Sequence, residues 1–107
     1  MVGPTYALGE IKAKIASGSW FVTGTALAGA AELEFDAVDI QACVLALSED
    51  DFYKTMPANS RPGSGLMQDV YKTNYLGTPI YLKVQENRHA VVISFKEDLS
   101  PKKGGSL

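Results

Sequence analysis

The 107-residue sequence holds one cysteine, Cys43, one histidine, His89, and one tryptophan, Trp20. A lone thiol excludes an intrachain disulfide and fits a reducing cytoplasm. One histidine, with no Cys/His pair at ligand spacing, leaves no zinc motif. Glu49, Asp50 and Asp51 follow one another at a helix end and cannot all converge, so the carboxylate cluster of a two-metal site is missing and no metal ligand set is read. No glycine-rich phosphate loop of the Walker or Rossmann kind occurs. No apolar run approaches the ~20 residues of a membrane span. The start, MVGPT, has neither the basic end nor the apolar stretch of a secretory signal.

What is present suits one domain, residues 1–107, with a polar, glycine-rich tail over 97–107 that reads as frayed. The net charge is −2, which taken alone argues against a nucleic-acid binder. The distribution is uneven. In residues 1–51 two lysines meet eight carboxylates, giving −6; in residues 52–107 eight cations meet four carboxylates, giving +4. The second half can therefore present a positive face, or simply a solvated patch.

The first half reads helical. Leu8, Ile11, Ile15 and Ala16 recur at helical spacing until Ser17-Gly18. Trp20–Val22 reads as a short extended connection. Ala26–Leu33 is rich in helix formers, and Asp36 is a good N-cap for a third helix with Ile40, Cys43, Val44 and Leu47 on one stripe. A buried, inert Cys43 follows from that stripe. The second half reads as strands: Phe52–Met56, Leu66–Tyr71, and a hairpin of Ile80–Gln85 with Ala90–Lys96 turning at Asn87-Arg88. Residues 57–65 and 72–79 read as connections, and His89 as a turn residue. Helices followed by an antiparallel meander imply an α+β fold, the helices covering one sheet face.

Strand residues alternate between faces. A turn at Asn87-Arg88 pairs Gln85 with Ala90, Leu82 with Ile93, Lys83 with Val92 and Tyr81 with Ser94, leaving Lys96 diagonal to Tyr81. One face then gathers Tyr81, Lys83, Ser94 and Lys96. Two readings fit it. The first is an ordinary solvated strand face. The second is an anion site able to cut a phosphodiester beside a 2′-hydroxyl. That reaction needs a base for the 2′-oxygen, a cation for the charge on phosphorus, and an acid for the leaving 5′-oxygen. Lysine supplies the cation directly. It supplies acid or base only if crowding by other cations lowers its pKa from ~10.4.

The segments LSEDDFYKTM, MQDVY, IYLKV and VVISFKE, with LGEIKAKIASG and TALAGAAELEFD before them, resemble the MqsR family over residues 5–97. That family is the toxin half of a bacterial toxin–antitoxin pair. The resemblance implies a RelE-like α+β fold with N-terminal helices packed on one face of the sheet. It implies a cytoplasmic, metal-independent mRNA endoribonuclease that needs no cofactor and cuts short motifs such as GCU by 2′-hydroxyl attack. Carried over by motif, the lysine of DFYK is Lys54, the glutamine of QDVY is Gln68, the tyrosine of YLK is Tyr81 and the lysine of SFKE is Lys96. These four are the implied catalytic residues: Lys54 and Lys96 would hold the scissile phosphate and its developing charge, Tyr81 would donate a proton or orient, and Gln68 would contact RNA or position the phosphate, while the motif leaves the general base open. Further RNA contacts are expected from Lys83, Tyr71, Lys72, Arg61 and Ser94. The implied partners are mRNA, free or on the ribosome, and a cognate antitoxin through which the pair touches DNA.

The sequence departs from the family before Gln68, where Met67 stands in place of a usual tryptophan and Ser-Gly-Leu in place of the segment holding a usual histidine. After Tyr71 it has Lys72, Thr73 and Asn74 in place of Arg-Pro-Arg. Weaker general RNA affinity and a changed base preference follow. The competing expectation is a catalytically weak or inactive RelE-fold module that binds antitoxin or RNA.

Overall fold

The stripe of Leu8, Ile11 and Ile15 is buried along one side of α1, Leu8–Ser17, in the computed structural model, which describes residues 3–57, 66–86 and 88–100. Gly18 ends the helix in the left-handed region at φ 89°, where glycine carries no Cβ penalty. The short strand β1, Trp20–Val22, follows. Helix α2 spans Gly24–Glu32, starting before the expected Ala26 because the Thr23 hydroxyl accepts the Ala26 amide at 3.0 Å and caps it. Helix α3, Ala37–Leu45, begins in a reciprocal cap: Asp36 accepts the Asp39 amide and Asp39 the Asp36 amide. A 3-10 turn, Glu49–Asp51, leads to β2, Phe52–Pro57; then come β3, Met67–Tyr75, β4, Thr78–Glu86, and β5, Ala90–Glu97.

The fold is α+β, with three helices and one sheet in the order β1-β5-β4-β3-β2. All neighbours are antiparallel except β1, which pairs parallel to β5. Since β1 lies between α1 and α2, the helices are not one uninterrupted N-terminal run. Ile11, Ile15, Ala26, Ala30, Ile40 and Val44 meet Tyr71, Ile80, Leu82, Val84, Val92 and Phe95 in a single core; among the described residues no helix covers the other sheet face, where Lys54 and Lys96 are exposed and Lys72, Tyr81, Lys83 and Ser94 part-exposed. Beyond Val22, α2 lies along β5: Thr23 donates to the Ile93 carbonyl at 2.6 Å. No described helix is long and apolar enough to cross a membrane.

Three expectations are corrected. Residues 72–79 are not a connection: β3 runs to Tyr75, and a two-residue turn at Leu76-Gly77, with φ of 51° and 86°, leads into β4. Such paired positive φ values twist with the flanking strands, so the ladder continues on both sides. The β4–β5 register also differs. Glu86, not Gln85, pairs with Ala90, because three residues separate the strands; a bulge at Ile93 then shifts the register again, so that Lys83 faces Ser94 and Tyr81 faces Lys96. The same bulge turns Val92, expected on the face of Lys96, into the core, where it is fully buried. Of the expected tail, Glu97 closes β5 and Asp98 donates its amide to the Pro79 carbonyl at 2.9 Å. Residues 101–107 lie outside those described.

Candidate functional site

On the open face, β2 contributes two consecutive side chains. Phe52 pairs with Tyr71 and Lys54 with Val70, so Tyr53 is the extra residue of a bulge. Phe52 turns inward against Tyr71, with ring centroids 5.7 Å apart, while Tyr53 and Lys54 are both exposed. Lys72 of β3, Tyr81 of β4 and Lys96 of β5 form one row across the sheet, through the pairs Lys72–Tyr81 and Tyr81–Lys96. The next row holds Lys54, Val70, Lys83 and Ser94.

Two phenol rings tie the cations together. Tyr53 and Tyr81 are 6.4 Å apart by centroid. The Lys72 Nζ lies 4.1 Å from the Tyr53 ring and 5.8 Å from the Tyr81 ring; Lys54 Nζ is 5.4 Å from Tyr53, and Lys96 Nζ 5.3 Å from Tyr81. Ring faces attract cations, which lets three ammonium groups share one patch. Burial raises the Tyr81 hydroxyl above the ordinary phenol range, and Tyr53 and Asp98 push the same way. Tyr81 is therefore a proton holder at neutral pH. After β5 the chain crosses the rim of the patch. Ser100 Oγ accepts from Lys72 Nζ at 3.0 Å, and an Asp98 carboxylate oxygen lies 3.8 Å from the same ammonium. A cavity of about 340 Å³ is lined there by Tyr81, Lys96 and residues 97–100. Three lysines around a protonated phenol suit a phosphodiester, although Glu97 and Asp98 bring two carboxylates to the cavity beside Lys96. No three His, Cys, Asp or Glu side chains come together as metal ligands among the described residues.

The profile described as "Motility quorum-sensing regulator, toxin of MqsA" matches residues 3–97. The mRNA interferase toxin MqsR of Escherichia coli (strain K12) is 33% identical over 94 residues, covering 88% of this chain and 94% of that protein. The chain belongs to the MqsR toxin family.

Of the four residues that the MqsR motifs single out, Lys54, Tyr81 and Lys96 share the patch. Gln68 lies on the same face of β3, two residues before Val70, but is only 4% exposed and pairs with Met56 at the edge of the group. Its neighbour Asp69 points the other way and accepts the Thr5 and Tyr6 amides at 3.0 and 2.9 Å. Among the expected RNA contacts, Lys83 and Ser94 face each other beside the patch, and Lys72 lies within it, its ammonium near both the Tyr53 and Tyr81 rings. Tyr71 is a correction: strand alternation places it in the core, fully buried, its hydroxyl without a hydrogen-bond partner among the described residues. Burial first, then the negative charges of Asp69, Glu49 and Asp51, push that phenol up to about 12. Arg61 lies outside the described residues. Cys43 is buried, its thiol pushed up to about 12 chiefly by burial. Tyr53, Asp98 and Ser100 were not singled out from sequence. Tyr53 directly precedes Lys54, but a period-two reading puts such neighbours on opposite faces. Asp98 and Ser100 lie beyond the family match.

Proposed function

We propose that the chain is an mRNA endoribonuclease of the toxin–antitoxin kind, acting in the cytoplasm and without metal. The observation that carries the reading is the grouping of the Lys54, Lys72 and Lys96 ammoniums around Tyr53 and Tyr81 on one open face. In this reading the scissile phosphate lies among the three lysines. The 2′-oxygen attacks phosphorus as its proton leaves to a neighbouring base, and charge develops on the phosphoryl oxygens where fixed cations stabilise it. Tyr81, which keeps its proton, is suited to protonate or hydrogen-bond the departing 5′-oxygen. The products are a 2′,3′-cyclic phosphate and a 5′-hydroxyl. We read the architecture as RelE-like, with helices on the core face leaving the opposite face for RNA. The family description and the relative's name support an antitoxin partner, through which DNA contact would be indirect.

The test is incubation of the purified protein with RNA in EDTA, with end-group analysis. Cyclic phosphate ends are expected, and Lys96→Ala should lower the rate by about 10²–10⁴-fold. Absence of cleavage of both naked and ribosome-bound mRNA would overturn the reading. One observation favours the alternative, a catalytically weak binding module: Asp98 places a carboxylate beside Lys72, where a phosphate would lie. Growth arrest on expression that survives Lys96→Ala would select that alternative.

A further inference from the structure

We propose that Phe21, backed by His89, forms a second subsite on the same sheet face, for a nucleobase of single-stranded RNA running on from the cleavage site. The proposal rests on the endoribonuclease reading for its substrate class. Parallel pairing fixes the direction of β1: Trp20 and Val22 pair with the buried Ala90 and Val92 and pack against the core, so Phe21, opposite Val91, faces the open side. It is 59% exposed, although a phenyl ring left in water forgoes much of the stabilisation that burial gives. The ring is nevertheless held. It meets His89 edge to face, centroids 4.9 Å apart at 83°, and His89 Nδ1 is 2.8 Å from the Ser19 hydroxyl. An ordered aromatic loses little freedom when a base stacks on it.

The face between the two sites is continuous and suited to a polyanion. Val91 pairs with Gln85, and Lys83 with Ser94, on the way to Tyr81 and Lys96. Among the described residues this stretch shows no carboxylate; Glu86 pairs with the buried Ala90 and is bound to Lys14. Gln85 is four residues from Tyr81, ~13 Å along the strand, and Phe21 is two strands over from β4, ~10 Å. A single strand spans that diagonal in a few nucleotides. Aromatics at both ends of a track with a lysine between them match the way sheet surfaces hold single-stranded RNA, by stacking bases and neutralising phosphates.

The experiment compares a short RNA, holding the cut site with one nucleotide on each side, with RNAs extended by about four nucleotides on the 5′ or the 3′ side. Each is measured both for cleavage and, as a non-cleavable 2′-deoxy oligonucleotide, for binding. Phe21→Ala is expected to raise KM and Kd by about five- to a hundredfold for one of the extended RNAs, leaving kcat and the short RNA unchanged. Phe21→Tyr should restore the wild-type values. Equal effects on short and extended RNAs, or none on either, overturn the proposal. Length-dependent binding that Phe21→Ala abolishes, in a protein that cuts no RNA, supports the subsite while overturning the nuclease reading.

Discussion

The Lys72 ammonium and an Asp98 carboxylate oxygen face each other at 3.8 Å, on the rim of the cavity that holds Tyr81 and Lys96. A phosphate entering the patch meets that carboxylate as a competitor for Lys72. Asp98→Asn removes the charge and nearly keeps the shape. Both side chains are only part-buried, and water screens the pair, so it contributes about 0–1 kcal/mol and RNA binding should tighten by up to about fivefold. The gain should shrink in high salt, where screening weakens the competing contact. Titration of a non-cleavable RNA with both proteins checks this; equal affinities would mean that Asp98 does not compete.

The same pair predicts a pH dependence. A hydrogen bond from Ser100, helped by Lys72 and Lys96, holds the Asp98 carboxyl below its ordinary range. A carboxyl held below its ordinary range stays charged, and so keeps competing for Lys72, until pH falls below that range. Wild type and Asp98→Asn should therefore differ by a constant factor from neutral pH down to about 5, and converge only below about 4. Affinity of the non-cleavable RNA across that range is the measurement. Convergence already at pH 6 would contradict the direction of the shift.

Tyr81 separates chemistry from binding. Its ring lies near Lys72 and Lys96, and its hydroxyl holds its proton more firmly than a free phenol. Tyr81→Phe keeps the ring and deletes the hydroxyl. If the hydroxyl serves the leaving oxygen, kcat should fall by about 10²–10⁴-fold while binding of the non-cleavable RNA changes little. A variant with unchanged kcat would leave Tyr81 only as the platform for its neighbouring cations.

The limits of reading this chain from sequence follow from local rules. The caps at Asp36 and Gly18 and the stripe of Leu8, Ile11 and Ile15 are short-range signals, and they read through directly. Tyr81, Lys83, Ser94 and Lys96 fall on one face even though the expected register was shifted, because alternation within each strand survives such a shift. Bulges break alternation. The one at Tyr53 adds that ring to the patch beside Lys54, and the one at Ile93 moves Val92 into the core. Neither has a composition signal, since each depends on the partner strand. Tyr71 was misplaced for a different reason: its motif neighbours Gln68 and Lys72 are on the open face, but an odd step along β3 reverses direction. Asp98 was invisible because its contact with Lys72 is made between residues far apart in sequence.

Gly29 tests how closely α2 is set on β5. A Cβ there would sit 2.0 Å from the Phe95 carbonyl oxygen, a backbone atom that no rotamer change can move. Gly29→Ala gains helix propensity but forces the helix away from the strand. The net expectation is a loss of about 1–3 kcal/mol, read as a thermal midpoint several degrees lower. Since β5 carries Lys96, cleavage should fall too. An unchanged midpoint would show that α2 can shift freely at this point.

Leu76 offers the opposite outcome. It sits in the β3–β4 turn at φ 51°, 76% exposed, and is followed by Gly77 at φ 86°. A non-glycine residue in that region is disfavoured by about 1–2 kcal/mol, and the exposed leucine gains little from packing. Asparagine tolerates the conformation, and Asn-Gly is the favoured pair for such a turn. Leu76→Asn should therefore stabilise the protein by about 0.5–1 kcal/mol. Activity should not change, because three strand pairs separate the turn from the Lys72–Tyr81 row. Denaturant unfolding measures the first claim and RNA cleavage the second. A more stable protein with altered cleavage would show that the turn communicates with the patch, whereas no gain in stability would place the strain elsewhere in the hairpin.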